Sequence, residues 1–309
     1  MQFTRLGADG PRVSRLCVGT SPLGSMPQIY GYEVGEDAAV ATVRRVLDGP
    51  INFLDTSNNY GNGGSERRIG AAIRAHGELP LGFVLASKAD PLPGASTFSG
   101  ARVRDSFRES VERLGVDRLE VFYLHDPELF DFADLSARGG AVEAMVALKA
   151  EGLVGSIGVA GGDLGEMRRY VDTGAFDILL NHNHFTVLDQ SADSLIDHAV
   201  GLGMAYVNAA PYASGILAKP VADKPRYQYR PPSEEILRRT EHVRELCRRF
   251  DVSLAAVALQ FSTRDLRVSS TVVGVSTPQR VDELVANDAL PVPDELWREL
   301  DDLLDSSSR

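Results

Sequence analysis

The sequence predicts an α/β fold, a (β/α)8 TIM barrel with a β-hairpin before it and extra helices at its C-terminal end. Three observations carry this reading. Eight short apolar runs alternate with longer amphipathic ones, and strict alternation of strands and helices implies a parallel sheet. The first run, ending at Gly19, continues Gly-Thr-Ser-Pro-Leu-Gly-Ser, which lacks the G-x-G-x-x-G turn that opens a dinucleotide-binding open sheet. No linker or low-complexity stretch divides the 309 residues, and barrels of this type reach about 250 residues or more as one unit. Residues 1–309 are therefore expected to form a single barrel domain.

The elements follow in order. Residues 2–6 and 13–15, joined by Gly7-Ala-Asp-Gly10, read as a hairpin. Strands are expected at 16–19, 51–55, 83–88, 119–124, 155–159, 177–181, 205–209 and 270–275. Helices are expected at 36–47, 65–76 (with Ser65 as N-cap), 101–114, 141–151, 165–173, 193–202, 235–250, 254–263, 280–286 and 293–304. In the 101–114 segment Val103, Phe107, Val111 and Leu114 recur at helical spacing. The least regular stretch, 211–232, would sit at the C-terminal rim of a barrel, where active sites lie.

Composition narrows the function classes. A net charge of -11 argues against nucleic acid as a partner, because such binding runs on excess Lys and Arg. The two cysteines, Cys17 and Cys247, lie in apolar segments and offer no disulfide framework. The start, MQFTRLGADG, lacks the basic and apolar regions of a secretory signal, and no apolar run approaches the roughly 18 residues of a membrane span. The expectation is a cytoplasmic protein, monomeric or a small homo-oligomer, with no membrane partner and a small-molecule substrate.

Three polar residues close successive strands: Asp55 ends Asn52-Phe-Leu-Asp55, Lys88 ends Val84-Leu-Ala-Ser-Lys88, and His125 ends Phe122-Tyr-Leu-His125. In a parallel barrel those ends meet at one rim, where polar residues read as catalytic. Tyr60, five residues past Asp55, lies on the following loop. A Tyr hydroxyl ordinarily titrates near ~10; a neighbouring ammonium is expected to lower that value, an Asp to orient the Lys, and a His to donate to a substrate oxygen. Each residue alone also reads as a cap or a rim ion pair, and the joint pattern distinguishes them. The chain offers no nucleophile or electron carrier for this chemistry, so a hydride must come from a bound cofactor.

Asp55-Thr-Ser-Asn-Asn-Tyr60-Gly-Asn-Gly-Gly-Ser-Glu66 and Leu114-Gly-Val-Asp-Arg-Leu-Glu-Val-Phe-Tyr-Leu-His125-Asp-Pro resemble the aldo-keto reductase segments that carry the family's Asp, Tyr and His, with Lys88 at the expected strand end between them. The resemblance runs from Leu16-Cys-Val-Gly-Thr20 to Gly274. It implies Tyr60 as general acid/base, Lys88 as its partner, Asp55 as the residue orienting Lys88, and His125 as the group positioning the substrate oxygen. It further implies a nicotinamide dinucleotide held in extended form on the rim.

Ala210-Pro-Tyr-Ala-Ser-Gly-Ile-Leu217 resembles the loop that holds the pyrophosphate, and Gly274-Val-Ser-Thr-Pro-Gln-Arg280 the segment that meets the adenosine end. The implied cofactor contacts are Thr20, Asp55, Asn181, Pro211, Tyr212, Ser214, Gly215, Leu217, Gly274, Ser276, Thr277 and Arg280. Ser276-Thr277-Pro278 also reads as an ordinary helix cap. The sequence departs from the family where it carries Gly158-Val-Ala-Gly-Gly162 in the stretch of the Ser-Asn pair, with Ala160 and Gly161 as the departing positions, Asn181 instead of Gln, Ala209 instead of an aromatic, and Gly274 instead of Lys. With that Lys absent and Arg280 retained, NAD is favoured slightly over NADP, with dual use allowed.

The segments 226–232, 235–250 and 254–261 resemble the bacterial aldose 1-dehydrogenases, which act on sugars such as L-fucose. The expected activity is oxidation of an aldose at C1 to the lactone. The alternatives are an NADPH-dependent reductase of small aldehydes or ketones, and a cofactor-sensing regulatory subunit. Asn181-His-Asn-His184 holds an H-x-H pair, but two imidazoles do not complete a metal site, and a polar rim cluster is the preferred reading.

Overall fold

In the computed structural model, residues 1–218, 226–228 and 230–307 are described; part of the irregular 211–232 stretch, including Tyr229 of the 226–232 segment, lies outside them. A two-stranded antiparallel hairpin, β1 (Phe3–Arg5) and β2 (Arg12–Ser14), precedes the barrel strands. These are β3 (Leu16–Gly19), β4 (Phe53–Asp55), β5 (Val84–Ala89), β6 (Leu119–His125), β7 (Val154–Gly161), β8 (Ile178–His182), β9 (Ala205–Ala209) and β10 (Val268–Gly274). They close in the order β10-β3-β4-β5-β6-β7-β8-β9, every neighbour parallel. The expected barrel is therefore observed.

The helices are α1 (Pro27–Tyr30), α2 (Glu36–Leu47), α3 (Gly64–His76), α4 (Gly100–Leu114), α5 (Phe132–Ser136), α6 (Ala141–Ala150), α7 (Leu164–Asp172), α8 (Asp193–Gly201), α9 (Glu234–Arg249), α10 (Leu254–Thr263), α11 (Pro278–Ala289) and α12 (Asp294–Ser307). Most ends fall within one or two residues of the sequence expectation. The short α1 and α5, each one turn or so, carry too few residues to show a period.

One cap was misassigned. Helix α3 starts at Gly64 after Gly63, whose φ is 78°, and Ser65 lies inside it. The Ser65 hydroxyl donates instead to the Thr20 carbonyl at 3.0 Å. A buried hydroxyl takes whichever acceptor the packed neighbour offers, and here the neighbour is the turn after β3.

Two apolar layers hold the fold. Helices pack on the outer faces of the strands through residues such as Leu54, Leu85, Phe122 and Leu124. The barrel interior is filled by Phe53, Val84, Ala86, Val121, Tyr123, Ile178, Leu180 and Val207. Leu6 and Val13 of the hairpin region join this inner cluster and are fully buried, so the hairpin closes the N-terminal mouth and leaves the C-terminal mouth open.

The strand period of two then dictates the site. Phe53 points inward and Leu54 outward, so Asp55 points inward. Val84 and Ala86 put Lys88 inward, and Val121 and Tyr123 put His125 inward. Continuing past β5, the same alternation brings Asp90 to the inner side.

Candidate active site

The inward residues at the C-terminal mouth line one cleft of about 1250 Å³. The Lys88 ammonium donates to Asp55 Oδ2 at 2.6 Å, to the Thr56 carbonyl at 2.7 Å and to the Tyr60 hydroxyl at 3.2 Å. Lys88 and Asp55 are buried, at 1% and 3% exposure, so this is an ion pair removed from water.

Tyr60 is placed by a tight backbone contact. Gly61 has φ +61°, and a Cβ there would lie 2.0 Å from the Gly24 carbonyl oxygen. Only glycine permits that approach of the Tyr60 loop to the turn after β3. Tyr60 and His125 then meet edge to face, their ring centroids 5.8 Å apart.

The Tyr60 hydroxyl departs from expectation. Burial, followed by the Asp55 carboxylate, raises its pKa well above the ordinary value. The lowering expected from Lys88 is not realised because Lys88 is already paired with Asp55, so Tyr60 faces a neutralised pair in a desolvated pocket. Asp55 is itself raised by burial, with Lys88 opposing.

Asp90 is the residue sequence reasoning missed. Its Oδ1 lies 2.7 Å from His125 Nδ1, and its Oδ2 accepts from the Ser57 hydroxyl and from the Asn59 N–H. Burial disfavours the His125 cation, but Asp126 and Asp90 outweigh it, and the imidazole pKa is raised. Asp90 thus fixes the Nδ1–H side and leaves Nε2–H to face the cleft. The signal was available: Asp90 continues the Ala86, Lys88 alternation by one more step.

This geometry makes a prediction. In Asp90→Asn the His125 titration, followed by imidazole NMR against a His125→Asn reference, moves to lower pH. The sign follows from losing the carboxylate that favours the cation. Turnover in carbonyl reduction at neutral pH falls about tenfold or more, since a positioned acid or base contributes roughly 10²- to 10⁴-fold. An unshifted titration would show that Asp90 does not act on His125.

Of the residues expected to meet a cofactor, Asp55, Pro211, Tyr212, Ser214, Gly215, Gly274, Ser276, Thr277 and Arg280 line the cleft. Thr20, Asn181 and Leu217 do not. Thr20 is fully buried, its hydroxyl donating to the Asp55 carbonyl at 2.9 Å, so it supports the floor. Leu217 belongs to the outer apolar layer. Asn181 lies one step out of the inward phase set by Ile178 and Leu180, and its amide donates to the Gly161 carbonyl at 2.8 Å. The inward position at that strand end belongs to His182, which lines the cleft.

The H-x-H pair is split. His184 Nδ1 contacts the Ser191 hydroxyl at 3.0 Å and the Asp189 carboxylate, while His182 faces the cleft. Among the described residues no group of three or more His, Cys, Asp or Glu side chains is placed to hold a metal, and no helix is long and apolar enough to cross a membrane.

At the far end of the cleft Thr277 caps α11, its hydroxyl accepting from the Arg280 N–H, with Pro278 in the first turn. The Arg280 guanidinium is paired with Glu283 at 2.7 Å, and both line the cleft. In the loop after β9, Ala213, Ser214 and Gly215 hold consecutive positive φ values of 46°, 60° and 91°, a curled backbone closed by the Ala213 and Gly215 N–H groups donating to the Ala210 and Tyr212 carbonyls.

Comparison with known proteins agrees with this architecture. The chain is 31% identical to L-galactose dehydrogenase of Arabidopsis thaliana over 289 residues, covering 93% of this chain and 88% of that protein. It is 32% identical to D-threo-aldose 1-dehydrogenase of Pseudomonas sp over 298 residues, covering 86% and 88%. The holo form of aldo-keto reductase AKR11C1 from Bacillus halodurans shares the fold, with a TM-score of 0.80, 24% identity and coverage of 98% and 96%. Residues 15–305 match the Aldo/keto reductase family. With that match along nearly its whole length, the chain belongs to the aldo/keto reductase family and is an oxidoreductase.

Proposed function

We propose that the protein oxidises an aldose, such as L-fucose or a related sugar, at C1 to the lactone, using a nicotinamide dinucleotide with NAD favoured over NADP. The observation that carries the reading is the convergence of Tyr60, the Lys88–Asp55 pair and the Asp90-held His125 at one end of a cleft larger than a sugar needs. Small-ligand pockets commonly hold about 300–1,000 Å³, so a volume of about 1250 Å³ leaves room for a dinucleotide beside the substrate. The two named relatives act on sugars by their names, which supports the substrate class.

The residues present suit such a cofactor. The curled backbone at Ser214 and Gly215, with Pro211 and Tyr212, would hold the pyrophosphate. Gly274, Ser276, Thr277 and Arg280 would meet the adenosine end, and Asp55 the nicotinamide end. Glu283, paired with Arg280, places a carboxylate where a ribose 2′-phosphate would need positive charge, which favours NAD. When bound, the oxidised nicotinamide would supply the hydride acceptor.

The protein's own groups do the proton work. His125 Nε2–H holds the anomeric oxygen. The Tyr60 phenolate takes the hydroxyl proton as the C1–H bond gives up its hydride and the C1–O bond becomes a carbonyl. Lys88 holds the Tyr60 oxygen in place by donating a hydrogen bond to it at 3.2 Å. Burial, followed by the Asp55 carboxylate, keeps the phenol protonated at neutral pH, the form that donates in carbonyl reduction, and oxidation draws on the phenolate reached at higher pH.

The test is a screen of NAD and NADP reduction across a panel of aldoses. The expected result is lactone formation with at least one aldose, faster with NAD. If no aldose supports reduction of either cofactor while simple aldehydes are consumed with NADPH, the sugar reading is wrong.

A further inference from the structure

We infer that His182 and Asp126 form a subsite for substrate hydroxyl groups, so that the cleft takes polyhydroxylated carbonyl compounds in preference to plain aldehydes. The inference rests on the proposed reading of the cleft as the carbonyl site and assigns the residues that would select within it.

His182 ends β8 on the inward face and lines the cleft. Among the described residues its ring nitrogens have no hydrogen-bond partner. Burial, helped by the charges of His125 and Lys88, lowers its pKa despite Asp126, so the ring is neutral and offers one donor and one acceptor. The ring also sits where the sequence made room. A Cβ on Gly162 would come within 2.9 Å of His182 Nε2, so the glycine at that position lets the imidazole stand against the barrel wall.

Asp126 faces the same space from the end of β6. Its φ of 43° is left-handed, and the turn is fixed by its N–H donating to the Ala160 carbonyl at 2.7 Å and its own carbonyl accepting from the Leu129 N–H. Non-glycine residues in this region are uncommon and gather at functional sites. The carboxylate is partly exposed into the cleft, and its nearest cation is His125 Nε2 at 3.8 Å, beyond hydrogen-bond range. A carboxylate that accepts and a neutral imidazole that both donates and accepts match neighbouring hydroxyls, each of which is donor and acceptor.

The opposite wall has the complementary character. In the closed order of strands, β7 stands across the barrel from β3, and β6 and β8 flank β7. Asp126 and His182 therefore face the turn after β3, whose Met26, Ile29, Tyr30 and Tyr32 line the other side of the cleft. Arg226 ties this lip to the later loop by donating to the Ile29 carbonyl at 2.6 Å. An aromatic and aliphatic face opposite a polar one suits a sugar, which presents C–H surfaces and hydroxyl edges.

The experiment compares reduction of D-erythrose with reduction of butanal, an unhydroxylated aldehyde of the same chain length, using NADH. In His182→Leu the ratio of kcat/KM for erythrose to that for butanal is expected to fall roughly tenfold or more, mainly through the KM for erythrose, since a site built to bind hydroxyls loses discrimination with its partner. His182→Gln restores part of the ratio. Asp126→Asn, chosen because Asn tolerates the left-handed turn, lowers the ratio in the same direction and serves if His182→Leu does not fold. An unchanged ratio, or an equal loss on both aldehydes, would overturn the subsite. If the wild-type chain oxidises no aldose yet the ratio still falls in these variants, the lactone-forming reading fails and the subsite stands.

Discussion

Tyr60→Phe is expected to lower kcat by roughly 10²- to 10⁴-fold, the usual contribution of a positioned acid or base, while nicotinamide cofactor affinity changes little. The ring remains, so the edge-to-face contact with His125 and the packing of the Gly61 loop are preserved. Only the oxygen in contact with Lys88 is lost. The measurement is single-turnover hydride transfer alongside fluorescence titration with NADH. Unchanged turnover would remove the whole assignment of the cleft chemistry. The raised Tyr60 pKa adds a directional expectation: Tyr60 stays protonated through neutral pH in the free protein, so carbonyl reduction persists to alkaline pH before it declines.

Lys88→Met is expected to damage stability as well as activity. Asp55 would remain buried without its counter-ion, and breaking a buried pair by removing one partner costs roughly 3–5 kcal/mol. Denaturant unfolding measures this. Burial already raises the Asp55 pKa, with Lys88 opposing, so removing Lys88 raises it further. A carboxyl whose folded pKa lies above its unfolded value adds stability below the unfolded pKa and loses it as pH rises through the folded one. The deficit of Lys88→Met is therefore largest at neutral pH and shrinks on acidification. The double variant Asp55→Asn with Lys88→Met recovers stability but not turnover, because an amide beside a thioether leaves no buried charge. A single variant as stable as the wild type would show that Asp55 finds another partner or takes up a proton at little cost.

The limits of sequence reading appear at Asn181 and His182. The sequence places Asn181 where the family's Gln is expected, and the resemblance implies a cofactor contact for it. The structure puts its amide on the Gly161 carbonyl and gives the inward position to His182. A shift of one residue along a strand moves a side chain to the other face, and which residue faces in was decided by Ile178 and Leu180. Thr20 shows a second limit: a short polar side chain at a strand end serves the floor or the cleft depending on neighbours distant in sequence, here Asp55 and Ser65.

What the sequence by itself determined is the barrel and the polar side chains gathered at its C-terminal rim. Alternating apolar runs specify parallel strands, and a period of two sends Asp55, Lys88 and His125 to one face of three successive strands. What only the tertiary structure decided is the electrostatics around them. Asp90 reaches His125 because β5 and β6 are hydrogen-bonded neighbours. The Tyr60 pKa runs upward rather than downward because the phenol is buried, with the Asp55 carboxylate adding to the rise. Burial and pairing depend on residues far apart in the chain, and local pattern carries no record of them.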